Sequence, residues 1–178
     1  MLDRGEALFE VTKNSKRAFI VQAGDTEVRA VGTKFDVRRS DGRVIVVLLE
    51  GKVEITSEPQ LLSRPVPVAT LMPGERLTFG TDDGVAAVDH PNVDAATAWR
   101  RGEVMFDDAT LSEAIAEMNR YARIHVTLGD PSLESLRVSG VFESQSAVEF
   151  AESIAALHHL QIERQGNALI LTGTTARR

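Results

Sequence analysis

Five places in the chain combine residue types and spacing that would support chemistry: Asp107-Asp108, His158-His159, His90, His125 and Ser139-Gly140. Two neighbouring carboxylates can share a proton or hold a cation. Asp107 and Asp108, however, stand just ahead of a predicted helix, where an acidic side chain simply favours the positive end by about 0.3–1 kcal/mol. His158 and His159 are adjacent, so on a helix they point roughly 100° apart and cannot chelate as an i, i+4 pair does. His90 and His125 have no acidic or histidine partner at ligand spacing. Ser139-Gly140 lacks the context of a nucleophile elbow, and no other G-x-S-x-G occurs. Gly24, Gly32 and Gly42 read as turn glycines, because none of them opens a helix as a phosphate loop must. The expectation is a protein that is not an enzyme, with no catalytic residue, no metal site and no cofactor.

Composition narrows the class of partner. The net charge of −6 carries no compensating Lys/Arg block, which argues against nucleic acid. With no cysteine among 178 residues there is neither a disulfide framework nor thiol chemistry. Hydrophobic residues make up 43%, enough for a packed core. The longest apolar run, Val44 to Leu49, is strand-sized, well short of the roughly 18 residues of a membrane helix. No signal peptide is visible, and Met1 is followed at once by Leu-Asp-Arg-Gly-Glu, which reads as a start in mid-protein.

The elements fall into two parts. Residues 1 to 95 carry turn signals at short intervals and no helical period, the pattern of an all-β body. Strands are predicted at Glu6–Val11, Ala18–Val21, Glu27–Val31, Lys34–Arg39, Arg43–Glu50 and from Val53, then at Val66–Met72, around Leu77 and Phe79, and at Val85–Val88. Asn14-Ser15 breaks the first from the second. Ser40-Asp41-Gly42 signals a hairpin. Arg43–Glu50 is apolar on both faces and predicts a central strand. Pro59 to Pro67 reads as a surface loop, and Pro67 places the strand it opens at an edge. Met72-Pro73-Gly74-Glu75 has the Pro and Gly positions of a type II turn. Sandwich, barrel and solenoid arrangements all fit this pattern. His90 to Ala98 reads as a linker.

Residues 99 to 178 predict a small α+β domain. Its opening stretch runs from the only tryptophan, Trp99, to the only tyrosine, Tyr121. The strand Val104–Phe106 leads into a helix over Leu111–Arg123, started by a capping box from Thr110 and Glu113. Leu111, Ala114, Ile115, Met118 and Ala122 form its apolar face. Ile124–Leu128 is the next strand. The pattern recurs at an offset of 36: Phe106 on Phe142, Thr110 on Ser146, Glu113 on Glu149, Met118 on Ile154, Ile124 on Leu160 and Val126 on Ile162. The second copy predicts a strand at Arg137–Phe142, a helix at Ala147–His158 and a strand at Leu160–Arg164. Gln165-Gly166-Asn167 then turns into a last strand, Ala168–Leu171. Any two βαβ units share an outline, and the doubled cap motif favours a structural repeat. Two such copies predict two helices on one small sheet. An open edge of that sheet would be a ready pairing surface.

Several segments resemble the FecR-type family of periplasmic sigma-factor regulators: G-E-A-L-F-E-V (5–11), F-I-V-Q-A-G (19–24), V-G-T-K-F-D-V-R (31–38), V-L-L-E-G-K-V-E-I (47–55), P-G-E-R-L (73–77) and the run from Ala98 to Tyr121. Residues 104–171 also resemble the short N-terminal domain shared by secretins and TonB-dependent receptors, with 130–142 carrying much of that likeness. The first resemblance implies the periplasmic portion of a single-pass inner-membrane protein of Gram-negative bacteria. It implies binding to the N-terminal signalling domain of an outer-membrane TonB-dependent transducer for iron-siderophore uptake. It further implies periplasmic and intramembrane proteases acting downstream, and a sigma factor held by an N-terminal segment that this sequence lacks. Tyr121, Val126, Leu128, Leu169 and Leu171 are the candidate partner-binding residues, being apolar or aromatic positions near the helix and the terminal strand, where core packing is the competing role. A β-rich module binding envelope glycan or another polymer is the alternative; aromatic residues, at 5%, are few for it.

Overall fold

The structure is a computed structural model that describes residues 1–13, 17–40, 42–58 and 65–173. It divides into two compact units, 1–93 and 94–178. The break at Asn14-Ser15, Asp41 of the predicted hairpin and most of the predicted loop after Pro59 lie outside the described residues.

Among its described residues the first unit has nine strands: β1 (Gly5–Glu10), β2 (Phe19–Ala23), β3 (Thr26–Ala30), β4 (Lys34–Ser40), β5 (Arg43–Glu50), β6 (Val53–Ser57), β7 (Val66–Leu71), β8 (Arg76–Gly80) and β9 (Ala86–Asp89). They form two antiparallel sheets, ordered β1-β4-β5-β8-β9 and β2-β3-β6-β7. The chain changes sheet after each hairpin, so hairpins β2–β3 and β6–β7 lie in one sheet and β4–β5 and β8–β9 in the other. One core joins them: Val28, Val53, Ile55 and Leu71 from the smaller sheet meet Phe35, Val37, Val46, Leu48 and Leu77 from the larger. This is the sandwich among the arrangements open to the sequence, and the β-rich body with an α+β portion is the observed fold class. β5 is interior, with Val46, Val47 and Leu48 buried in succession, as an apolar run on both faces requires. β7, opened by Val66-Pro67, lies at an edge. At the turn after it, Gly74 has φ +88° and Glu75 N–H donates to Met72 C=O at 3.1 Å, the type II geometry.

The second unit starts with structure where a linker was expected. Helix α1 (Val93–Thr97) runs into a 3-10 turn at Ala98–Arg101, and Thr97 and Ala98 are buried. Then come β10 (Glu103–Thr110), α2 (Leu111–Asn119), β11 (His125–Leu128), β12 (Arg137–Glu143), α3 (Ala147–His158), β13 (Leu160–Gln165) and β14 (Ala168–Gly173). The expected single sheet is two. β10 and β12 pair antiparallel as a two-stranded ribbon. β11 and β13 flank β14, β11 parallel to it and β13 antiparallel. The helices fill one core with both sheets: Leu111, Ile115, Met118, Phe150 and Ile154 meet Val104, Phe106 and Val138 of the ribbon and Val126, Leu169 and Leu171 of the other sheet. Two apolar faces of sheet cover more of two helices than one sheet would. The Phe150 ring lies 6.0 Å from Phe106 and 5.1 Å, edge-on, from Phe142. Helix α2 ends at Asn119 rather than Arg123. Among the described residues, no helix is long and apolar enough to cross a membrane.

The cap motif is realised once. Thr110 sits at φ −69°, ψ 150° and accepts from Glu113 N–H at 3.2 Å, while Glu113 Oε2 accepts from Thr110 N–H at 2.9 Å. Ser146, at φ −96°, ψ 55°, makes no side-chain cap; its hydroxyl donates to Glu143 Oε2 at 3.3 Å instead. An N-cap needs extended backbone to aim its oxygen at the first turn, and the bend at Ser146 points it away.

Candidate interaction surfaces

The sequence-flagged acids form a β-bulge. Between Phe106 and Ala109 the ladder to β12 slips, and Asp108 takes φ +51°. Its N–H donates to Ser139 Oγ at 3.0 Å, and its carbonyl accepts from Arg137 Nη1 at 2.8 Å. Asp107 and Asp108 both face solvent. His159 is the left-handed C-cap of α3, at φ +54°, beside half-buried His158. Among the described residues no group of three or more His, Asp or Glu is placed to hold a metal ion. Trp99 is half-buried, with its indole nitrogen inside the protein.

The five candidate contact residues separate. Val126, Leu169 and Leu171 are core residues with at most 5% exposure. The reason is strand alternation: Val126 pairs with Leu169 and Leu128 with Leu171, and this face of the sheet lies against the helices. These three side chains pack in the core, the competing role that the sequence left open for them. Leu128 and Tyr121 are half-buried at the margin of the same core. Tyr121 is held by its neighbours: its hydroxyl donates to Glu117 Oε1 at 3.3 Å and accepts from Arg120 Nη1 at 3.0 Å, and the Arg120 guanidinium lies 4.8 Å from its ring centre. Arg120 also pairs with Glu117 at 2.5 Å. Tyr121 forms one wall of a cleft of about 430 Å³, shared with Arg123, Ile124, Gln145, Ala147 and Glu149. The cleft joins the end of α2 to the start of α3. Arg123 is exposed there.

Sheet edges are the second kind of surface. In the first unit, edge strand β9 is fastened to β8 by Arg76, whose Nε donates to Asp89 Oδ1 at 2.8 Å while its second nitrogen meets Oδ2. The guanidinium holds the Asp89 carboxyl below the usual carboxylate range. In the second unit, β11 is closed by a side chain. Asn119 Nδ2 donates to Val126 C=O at 2.8 Å, and Asn119 Oδ1 accepts from Val126 N–H at 2.8 Å. The carboxamide thereby mimics an adjoining strand. Asn119 escaped the sequence reading because a polar residue at the end of an apolar helix face gives no sign of where it reaches. The opposite edge, β13, is exposed from Gln161 to Gln165.

The fold is shared with two crystal structures of a "putative anti-sigma factor" from Parabacteroides distasonis ATCC 8503. At 22% and 23% identity they align with TM-scores of 0.71 and 0.72, covering 97% of this chain and 78% and 79% of theirs. Residues 1–54 match the family described as FecR protein. No curated protein matches it. The likeness of residues 104–171 to the secretin and TonB-receptor domain rests on the sequence segments alone.

Proposed function

We propose that this chain is the periplasmic sensor portion of a sigma regulator, and that residues 94–178 dock the N-terminal signalling domain of a TonB-dependent outer-membrane transducer serving iron-siderophore uptake. The observation that carries the reading is the FecR match over 1–54. The shared fold with solved proteins described as anti-sigma factors supports it. A sigma-regulator role is a protein-binding one, in keeping with a chain whose acid and histidine pairs serve as a bulge and a helix end. Docking is assigned to the cleft beside Tyr121, where a rigid aromatic wall and the exposed Arg123 offer an apolar contact and a charge. Sigma binding is left to sequence outside these residues, and proteolysis of the regulator follows docking.

The test is calorimetric titration of the intact chain with the isolated signalling domain of the transducer encoded beside it. Saturable one-to-one binding, weakened about tenfold or more by Arg123→Glu, is expected, since reversing an interface charge also introduces repulsion. No binding by the folded chain counts against the reading.

A further inference from the structure

We propose that β13 is a self-association edge: two copies of this chain pair antiparallel along Leu160–Gln165, with Ile162 opposite Ile162 across a two-fold axis.

β13 and β14 are joined by the two-residue turn Gly166-Asn167, with Gln165 opposite Ala168 and Gly166 at φ +60°. The pair flanking such a turn exchanges hydrogen bonds, and bonded and non-bonded pairs alternate from there. Gln165, Glu163 and Gln161 therefore bond to β14. Leu160, Ile162 and Arg164 turn their N–H and C=O groups to the open edge. The equivalent of Ile162 in the first copy is Val126, whose N–H and C=O are clasped by Asn119. The residue 36 positions after Asn119 is Ala155, which has no amide to offer. Among the described residues, the groups that one copy closes are left open by the other.

The strand's own sequence then selects its occupant. Across a two-fold axis normal to the sheet, outward-facing residues must pair with outward-facing residues. Ile162 opposite Ile162 satisfies this. It places Leu160 opposite Arg164 of the second copy, and Gln161 opposite Glu163 of the second copy. No like charges meet. Leu160, Ile162 and Arg164 each exchange both backbone bonds with their counterparts. Shifting the register by two residues sets Glu163 against Glu163, a destabilising pair. Ile162 and Arg164 lie on the helix-facing side of the sheet, since they pair with buried Leu171 and Leu169. Yet Ile162 is 37% exposed, and Leu157 of α3, the helix packed on β13, is 65% exposed. A second copy supplies apolar cover for both. The ribbon edges are poorer templates: β10 is broken by the bulge at Asp108, and β12 carries Gly140 at φ +150°.

This proposal does not depend on the transducer reading, because the dimer is measured with no partner present. Sedimentation equilibrium of the full chain, from about 1 μM to about 1 mM, is expected to show a reversible monomer–dimer equilibrium. Ile162→Lys sets two ammonium groups face to face and is expected to weaken the dimer at least about tenfold. Gln161→Lys sets an ammonium opposite Glu163 in both symmetric pairs and is expected to tighten it about fivefold. Gln161 is exposed, so this variant leaves folding untouched and decides the matter even if Ile162→Lys does not fold. A monomer at every concentration overturns the proposal. So does a dimer indifferent to a folded Ile162→Lys, or one that Gln161→Lys weakens.

Discussion

The two βαβ copies of the second unit differ at corresponding places, and the differences explain one another. The first copy starts its helix with a closed capping box and finishes with a strand whose outer edge is held by Asn119. The second starts its helix without a side-chain cap and finishes with a strand exposed from Gln161 to Gln165. Val126 is wholly buried, while Ile162 is 37% exposed. One copy spends its polar side chains on its own backbone. The other leaves its backbone to meet something outside. A repeat of this kind preserves the packing scaffold in both halves and varies only how each half treats its ends.

The comparison assumes a single core beneath both copies, so breaking that core has the largest expected effect. Phe150 of the second copy touches Phe106 of the first and Phe142 of its own. Phe150→Ala is expected to cost about 3–5 kcal/mol in chemical denaturation, with one transition for the whole second unit. A separate, earlier transition of 137–173 would mean that the copies fold independently. The next effect isolates the clasp. Asn119→Ala leaves the N–H and C=O of Val126 without their side-chain partner and is expected to cost about 2 kcal/mol. Hydrogen exchange at Val126 would rise with it. Exchange at Ile162 in the monomer is expected to be fast already, and unchanged by the substitution.

Much of this was legible in the sequence. Alternation and turn chemistry located the nine strands of the first unit to within a few residues, because each turn residue there has a local task. Gly74 is one, supplying the positive φ its turn requires. Helices α2 and α3 were legible from apolar spacing, and Leu111, Ile115 and Met118 are buried as that spacing requires, whereas α1 was read as a linker. The rest depended on non-local geometry. Whether Ser146 caps depends on its backbone bend. Whether two copies share one sheet or two depends on which strands find each other across long stretches of chain, from Thr110 to Arg137 or from His125 to Ala168. Contact and core roles could not be separated at Val126, Leu169 and Leu171, because an apolar strand residue looks alike on either face until the helices are placed. Asn119 was invisible for the opposite reason, as its partner lies seven residues on, across a change of element.

The cap difference yields a smaller and sharper comparison. Thr110→Ala is expected to cost about 1 kcal/mol, the ordinary worth of an N-cap. Ser146→Ala, in the same sequence motif, removes only a hydroxyl contact to Glu143 and is expected to stay within about 0.5 kcal/mol of the parent. Equal losses at the two positions would show that α3 is capped in solution after all. The pair is informative because both sites carry a hydroxyl three residues ahead of a Glu within one unit, while the backbone at the cap differs.

The smallest effect concerns the connection between the copies. Asp130 starts the 3-10 turn Pro131–Leu133, and its carboxylate accepts from Ser132 N–H at 2.9 Å. That backbone bond, helped by the Ser132 side chain, lowers the Asp130 pKa below its ordinary value. A carboxyl depressed in the folded state contributes stability that is present above its unfolded pKa and is lost as pH falls through the folded one. Asp130→Asn keeps an acceptor at the turn and cannot titrate. It is therefore expected to flatten the acid limb of the stability curve below about pH 4, while leaving stability at neutral pH nearly unchanged. If the acid limb is unaltered, the turn between the copies is held by Pro131 and Leu133 rather than by the carboxylate. Leu133 is buried in the shared core, so the two copies would then be joined by packing at their connection as well as between their helices.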